Sequence, residues 1–246
     1  EFPVNANLPP VVSAGANEVV DWKEFDWNLP AQRKTIDLKG RVTHDRGEVG
    51  SILWEQIGGP TNGVSILDKN AAQTTVEVTQ KGRYAFRLTA TDGTLTTSDE
   101  VTITVHCPPR IEVKPEVQTQ HLALSSVSNS TVETKLVAVL KDSGRGDEPD
   151  NGQVNFRWTW PDRQSPASTV VQIVEADQAE TNVRFSQRNL FKLKLEVDNG
   201  RPSLLVPLFF NIGVHQMPVL SAATLPASAI VTLPVNLLTL NGAVPF

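Results

Sequence analysis

The sequence is poor in cysteine, methionine and tyrosine, with one residue of each among 246. The single cysteine, Cys107, excludes an internal disulfide framework, a cysteine-based zinc site and a CxxC redox motif. Threonine, valine, serine and proline are abundant instead, a balance that is typical of extracytoplasmic β proteins. Stability is therefore expected to come from the packing of sheets.

Long apolar runs and basic clusters are also missing. No run reaches the roughly 18 apolar residues that a membrane span needs, so no span is predicted in this segment. The 27 Asp and Glu residues outnumber the 22 Lys and Arg residues, giving a net charge of −5, which excludes a nucleic-acid partner. The N-terminus lacks the basic-then-apolar order of a signal peptide, so any export signal is expected to lie outside this sequence.

Motifs for catalysis are absent as well. The chain contains no nucleophile elbow, phosphate-binding loop or dinucleotide fingerprint. Its four histidines, His44, His106, His121 and His215, are isolated in the sequence, with no pair at metal-ligand spacing. His106 and His215 occupy matching positions beside the two junctions and are predicted to cap strand ends. The protein is predicted not to be an enzyme.

An internal repeat with a spacing of 107 residues is the most informative feature that is present. Apolar residues of the first copy match apolar residues of the second. The matched pairs are Val76 with Val183, Val78 with Phe185, Tyr84 with Phe191, Phe86 with Leu193, Leu88 with Leu195, Ala90 with Val197, Val101 with Leu208, Ile103 with Phe210 and Val105 with Ile212. The repeat predicts two like domains.

Each copy has the pattern of a β-sandwich. The matched residues alternate with polar ones, as in strands with one buried face. Asp92-Gly93 and Asn199-Gly200 predict tight hairpins, because Gly and Asn tolerate positive φ. Several short strands in about 100 residues predict an all-β fold of tandem immunoglobulin-like sandwiches. Only residues 19–29 are expected to form a helical turn or two.

Prolines mark the predicted domain boundaries. The domains are 1–107, 108–214 and 215–246. In the last range, residues 238–244 repeat residues 36–42, so we interpret it as the first strands of a truncated third module. Because two strands cannot close a sandwich, we expect residues 217–246 to engage a protein partner or a neighbouring copy.

The first copy carries a set of spaced motifs. They are Asn7-x-Pro9-Pro10-x-Val12-x-Ala14-Gly15, Trp54-x-Gln56 followed by Gly59-Pro60, Gly82-x-Tyr84-x-Phe86-x-Leu88, Thr91-Asp92-Gly93 and Asp99-x-Val101. With these motifs, residues 7–105 resemble the PKD/REJ-type immunoglobulin-like repeats. The second copy departs from the motif at residues 156–162. The resemblance implies PKD-like sandwiches of exported and cell-surface proteins that act in adhesion, spacing or ligand contact, and it does not imply catalysis.

Tryptophan residues have two predicted roles. Trp54 and one of the pair Trp158 and Trp160 are expected to fill the cores, with the other of the pair at a sheet edge. Trp22, Phe25 and Trp27 form an aromatic patch among acidic residues. Such a patch is typical of a glycan-stacking platform or a protein-contact site, and packing of residues 19–29 against a module explains it equally well.

A polar loop at residues 143–150 contains Arg145-Gly146-Asp147, the tripeptide that integrins recognise on exposed turns. We interpret the loop as solvated, with recognition of the tripeptide as the alternative. Asp142, Asp147 and Asp150 supply the oxygen ligands that calcium prefers, although no EF-hand order accompanies them. No other cofactor is predicted.

These features favour a non-catalytic structural and interaction segment of an exported cell-surface or envelope-associated protein. It would act as a stiff spacer and an adhesion or assembly module. Its location would be extracellular, with the periplasm or envelope as alternatives. The alternative function is a pair of accessory carbohydrate-binding modules of a secreted hydrolase, with Trp22 and Trp27 as stacking residues.

Overall fold

The computed structural model describes residues 7–47, 49–114, 119–125, 130–147, 154–162 and 169–216. These residues form two compact units. Within the described ranges, the first unit is drawn from residues 7–110, 141–147 and 199–204, and the second from residues 111–140, 154–198 and 205–216. The predicted third module, residues 215–246, lies outside the described residues beyond Gln216, so that prediction stays open.

The first unit is a sandwich of antiparallel hairpins and one parallel pair. Its strands are β1 (Val11–Ser13), β2 (Glu18–Asp21), β3 (Lys34–Lys39), β4 (Arg41–Thr43), β5 (Ser51–Gly58), β6 (Val64–Ile66), β7 (Gln73–Val78), β8 (Gly82–Thr91) and β9 (Thr96–His106). One sheet has the order β2-β9-β8-β5 and the other the order β3-β7-β6, and β1 pairs with β4. Strand β2 runs parallel to β9.

The second unit repeats this arrangement. Its strands are β10 (Arg110–Lys114), β11 (Thr119–Leu124), β12 (Val132–Asp142), β13 (Asn155–Thr159), β14 (Val171–Ile173), β15 (Glu180–Phe185), β16 (Asn189–Asp198) and β17 (Val206–Gln216). The 3-10 turn at Pro202–Leu204, in the connection between β16 and β17, belongs to the first unit. The sheets have the orders β11-β17-β16-β13 and β10-β12-β15-β14, and β11 runs parallel to β17. The predicted fold class, tandem immunoglobulin-like sandwiches, is confirmed.

Each core is built around one tryptophan held in the same way. Trp54 on β5 and Trp158 on β13 are buried, and the alternating residues of β8 and β16 pack beside them. The indole Nε1 of Trp54 donates to the Ala72 carbonyl at 3.1 Å, and that of Trp158 donates to the Gln178 carbonyl at 2.9 Å. These bonds satisfy a donor that burial would otherwise leave unpaired. Trp160 is half-buried with its edge toward Phe191, as expected of a residue at a sheet edge.

The predicted hairpins are present, with Gly93 at φ 98° and Gly200 at φ 82°. The connection between β16 and β17 is the longer one, and this changes the register of the repeat. Tyr84 faces Ile103 across the first hairpin, whereas the matching Phe191 faces Ile212 across the second. The last strands of the two units therefore correspond at a spacing of 109 residues, which corrects the predicted spacing of 107 for this strand. Because the shift is even, every inward residue stays inward.

Residues 19–29 do not form the expected helical turn. Residues 19–21 belong to β2, which pairs with the end of β9, and non-helical turns follow at residues 23–24 and 27–28. The β-branched pair Val19-Val20 suits a ladder with an existing strand better than an isolated helical turn, which is costly to nucleate.

Candidate functional site

The turn after β2 sets the three aromatic side chains of the predicted patch in series. The Trp22 and Phe25 rings meet edge to face at 5.0 Å, and the Phe25 and Trp27 rings do so at 4.9 Å. Gln32 braces the turn, because it accepts from the Asp26 N–H at 2.9 Å and donates to the Asp26 carbonyl at 2.6 Å. The patch therefore has a fixed geometry.

Trp22 is not part of the exposed surface. Its side chain is 3% exposed and belongs to the core of the first unit, and its backbone N–H donates to the His106 carbonyl at 2.8 Å. This corrects the prediction that Trp22 stacks on a ligand, because no face of the indole is open to solvent. Phe25 and Trp27 pack against the same core but remain half-buried.

Trp27 is held from two sides. Its indole Nε1 donates to the Pro108 carbonyl at 2.9 Å, and the guanidinium carbon of Arg110 lies 5.9 Å from the centre of its ring. The hydrogen bond fixes the ring plane, and the cation attracts one ring face. The indole is thus a rigid wall rather than a mobile surface side chain.

Residues 142–147 also belong to the first unit and lie close to the end of β9. The Lys81 ammonium is 3.0 Å from Asp142 Oδ1 and donates to the Arg145 carbonyl at 3.1 Å. The Gly146 N–H donates to His106 Nδ1 at 3.1 Å. A Cβ on Gly146 would lie 2.1 Å from the Val105 carbonyl oxygen, so only glycine fits this approach. Residues 143–146 of the loop are buried or half-buried, whereas the sequence favoured a solvated loop.

The tripeptide Arg145-Gly146-Asp147 contains an internal ion pair between its first and last side chains. Arg145 Nε and Nη2 donate to the two carboxylate oxygens of Asp147, each at 3.3 Å, and Arg145 Nη1 donates to the Asn199 carbonyl at 3.3 Å. Burial is the largest single influence and acts to raise the pKa of Asp147, but the hydrogen bonds from Arg145 and from its own backbone N–H, together with the charge of Arg145, hold the pKa below its usual value. A receptor that reads the guanidinium and the carboxylate separately would have to break this pair.

The described residues of the same loop do not gather calcium ligands. Asp142 is paired with Lys81 and Asp147 with Arg145, so these two predicted ligands each have a cation beside them. Asp150, the third predicted ligand, lies outside the described residues. Over the part of the chain that the structure describes, no group of three or more His, Cys, Asp and Glu side chains could hold a metal ion.

The aromatic turn and the loop meet at an open groove of about 380 Å³ in the first unit. Its lining residues are Phe25, Trp27, Pro60, Gln80, Lys81, Gly82, Asp142, Arg145 and Gly146. We call it the aromatic groove. The sequence treated the aromatic patch and the tripeptide loop as separate candidates, and the structure brings them together as the two walls of one site. The groove combines ring faces with charged groups, a combination that suits a polar ligand with an apolar face.

Two buried titratable groups lie at the end of β9. Burial lowers the pKa of His106, so the ring is neutral at pH 7 and its Nδ1 can accept the Gly146 N–H. Burial, reinforced by the Asp142 carboxylate, raises the pKa of the Cys107 thiol to about 12. Cys107 is therefore protonated and unreactive at neutral pH.

A pair of histidines in the second unit was missed. His121 on β11 and His215 on β17 bring their ring nitrogens to 2.9 Å. The sequence placed all four histidines apart because these two are separated by 94 positions. Only the parallel pairing of β11 with β17 brings them together.

The fold is that of tandem immunoglobulin-like sandwiches, and the model of one protein family matches the first of them. Residues 26–105, about a third of the chain, match the model of the K319L-like PKD domain family. The resemblance of the first copy to PKD-type repeats is confirmed over these residues. Modules of this kind are typical of structural and adhesion proteins, and they are generally non-catalytic.

Solved structures with related folds include the N-terminal eight immunoglobulin domains of Down syndrome cell adhesion molecule isoform 1.30.30. That likeness has a TM-score of 0.52 and 10% identity, and it covers 85% of this chain and 24% of that chain. The PKD domain from KIAA 1837 protein is 26% identical over 38% of this chain and 83% of its own, with a TM-score of 0.27. Human protocadherin-24 EC1-2 is 11% identical over 87% of this chain and all of its own, with a TM-score of 0.43. A comparison with curated proteins finds no match.

Among the residues that the structure describes, no helix has the length and apolar character needed to cross a bilayer.

Proposed function

We propose that this chain is a non-catalytic structural and interaction segment of an exported cell-surface or envelope-associated protein. It serves as a stiff spacer and as an adhesion or assembly module. The observation that carries the proposal is the PKD family match at residues 26–105 within a tandem immunoglobulin-like fold. The composition, with one unreactive buried cysteine and abundant Thr, Val, Ser and Pro, supports an extracellular location.

Chain connectivity supports the spacer role. The chain passes between the two units at residues 110–111, 140–141, 198–199 and 204–205, and once more between residues 147 and 154. Proline at such a passage restricts the backbone more than a glycine- or serine-rich linker does. The proline pair Pro108-Pro109 further stiffens the first passage.

Distance measurements test the stiffness. Spin labels at the exposed positions Asn70→Cys and Asp177→Cys report on one unit each, and the buried thiol of Cys107 does not compete for the label. A stiff spacer gives one narrow distance distribution by pulsed electron resonance. A broad distribution would contradict the spacer role.

The aromatic groove is the contact site that we assign to the adhesion role. Trp27 and Phe25 give it rigid apolar walls, and Lys81, Asp142 and Arg145 give it charge. The alternative function, an accessory carbohydrate-binding module, is favoured by the same two rings, because ring faces stack on sugars.

A glycan array and a pull-down on insoluble polysaccharides separate these functions. Retention that is lost in Trp27→Ala and kept in Leu29→Ala would establish the carbohydrate function, since Leu29 is exposed in the same turn and does not line the groove. Absence of retention by the wild type leaves protein contact as the role of the groove. Trp22→Ala is unsuitable here because Trp22 belongs to the core.

We further propose that residues 217–246 engage a protein partner or a neighbouring copy. These residues lie outside those described, and support comes from their sequence repeat and apolar composition. Light scattering on the full chain tests self-association. The double variant Leu238→Asp, Leu240→Asp is expected to be monomeric where the wild type is associated. A monomeric wild type restricts the proposal to a different protein partner.

A further inference from the structure

We propose that His121 and His215 form a surface binding site for a divalent transition-metal ion, with Cu²⁺ preferred over Zn²⁺. The pair is independent of the aromatic groove, which belongs to the other unit. Imidazole nitrogen is a strong ligand for copper, nickel and zinc, and affinity among these ions is highest for copper.

The two rings present their nitrogens to each other. His121 Nδ1 lies 2.9 Å from His215 Nε2, and the ring centres are 5.1 Å apart with 28° between their planes. The separation of the ring centres is about the nitrogen distance plus the two ring radii, so both nitrogens lie close to the line that joins the centres. The two nitrogens face each other head on and share one N–H···N hydrogen bond, in which one ring donates and the other accepts.

The separation suits two adjacent ligands of one ion. At a metal–nitrogen distance of about 2.05 Å, nitrogens 2.9 Å apart subtend an angle of about 90° at the metal. This is the angle between neighbouring positions of square-planar and octahedral sites, which Cu²⁺ and Ni²⁺ prefer. Tetrahedral Zn²⁺ needs a wider separation. Because the nitrogens face each other, each exposed ring has to turn by about 45°, and the shared proton has to leave, before both lone pairs point at an ion beside the line that joins them. Water would fill the other positions.

The backbone beneath the pair leaves room for it. His121 faces Gly213 in the parallel ladder of β11 and β17. A Cβ on Gly213 would lie 2.9 Å from His121 Nδ1 and 3.1 Å from His215 Nε2. Glycine at this position therefore permits both rings to approach over one point of the strand, and a Cβ there would require the rings to move from these positions.

The first unit has no histidine pair at the corresponding positions. In the corresponding ladder of β2 with β9, Val19 faces Thr104, at the positions that His121 and Gly213 occupy in the second unit. His106 corresponds to His215, but it is buried. The site is thus a feature of one module, and the first unit supplies an internal comparison.

Titration of the purified chain with CuCl₂ and ZnCl₂ tests the site, followed by calorimetry, electron paramagnetic resonance and thermal unfolding. We expect one Cu²⁺ per chain, hyperfine coupling to two nitrogens, and a rise in the unfolding midpoint that EDTA reverses, because an ion that binds only the folded chain stabilises it. His121→Gln and His215→Gln should each weaken Cu²⁺ binding by about 10- to 100-fold. His44→Gln, a change at a buried ring in the first unit, should leave it unchanged.

Gly213→Ala is a second variant that keeps both histidines. It should weaken Cu²⁺ binding by separating the rings, and its own unfolding curve without metal reports any loss of folding. Equal Cu²⁺ affinity in the wild type and the two histidine variants would overturn the proposal. So would coupling to a single nitrogen in the wild type.

Discussion

The sheets that contain the last strands, β9 and β17, have matching strand orders in the two units, yet the ends of these strands differ in chemistry. His106 ends β9 as a buried ring that accepts the Gly146 N–H, whereas the corresponding His215 on β17 is exposed and meets His121. The strands that run parallel to these ends, β2 beside β9 and β11 beside β17, also differ in the residues they present. Asp21 on β2 faces His106 and accepts hydrogen bonds from Arg201 and Ser203, whereas Ala123 on β11 faces His215. A repeated framework therefore does not repeat its surface chemistry.

The largest loss of stability is expected from changes to the buried tryptophan that both cores share. Trp54→Ala and Trp158→Ala each remove a buried indole and its hydrogen bond, at a cost of about 3 to 5 kcal/mol of unfolding free energy. Urea titration measures the loss, and hydrogen exchange should localise it to the unit that carries the change. A loss below about 1 kcal/mol in one unit would show that its core is not built around the tryptophan.

The two hairpins provide the next test, because their turn residues act in opposite senses. Asn199 Nδ2 donates to the carbonyls of Cys107 and Ser143, at 3.2 and 2.9 Å. Asp92 Oδ1 instead accepts from the backbone N–H groups of Thr94 and Leu95, each at 2.8 Å. Asn199→Asp places a carboxylate against two carbonyl oxygens in a buried site, and we expect a loss of about 3 kcal/mol.

Asp92→Asn is the reciprocal change and should have a smaller effect. The N–H groups of Leu95 and Thr94 hold the pKa of Asp92 below its usual value. Its contribution to stability is therefore present above pH 4 or so and lost as the pH falls through the folded-state pKa. The unfolding midpoints of both hairpin variants, measured at neutral pH, give the comparison. A larger loss from Asp92→Asn than from Asn199→Asp would reverse our assignment of the buried turn.

A pH dependence is expected from the buried histidine. Burial lowers the folded-state pKa of His106, with Asp147 and Asp21 opposing that shift and Arg201 and Arg145 adding to it. The unfolded chain thus binds the proton more readily, so stability is full above about pH 6.5 and falls as the pH drops below it. Urea midpoints between pH 8 and pH 5 should decline in the wild type and decline less in His106→Gln. Identical slopes would exclude His106 as the cause.

The smallest effect concerns the turn that braces the aromatic groove. Ala31 has a φ of 59°, in the left-handed region, which is strained for a residue with a Cβ. Ala31→Gly relieves that strain but adds freedom to the unfolded chain, so we expect a gain of no more than about 1 kcal/mol. Thermal unfolding measures it. A clear loss of stability would mean that the Cβ makes a contact that outweighs the strain.

The sequence predicted the strands well because alternation is a local property. Tyr84, Phe86 and Leu88 lie at every second position of β8 and are buried. Phe191, Leu193 and Leu195 do the same on β16. The sequence could not predict the burial of Trp22, because this residue does not belong to a long alternating run. Its position depends on the pairing of β2 with a strand more than 80 residues away. The greater length of the second hairpin connection could not be predicted either, because both copies carry a Gly at the turn and the local pattern is the same.

Composition and periodicity by themselves determined that this protein is a tandem β-sandwich without disulfides, because each strand records its buried face in every second residue. Tertiary structure decided which polar groups meet. It joined the aromatic turn to the loop of Arg145 as two walls of one groove, closed Arg145 onto Asp147, and brought His121 to His215 over Gly213. Such pairings depend on the register between strands that are distant in the chain, and no local pattern of residues encodes that register.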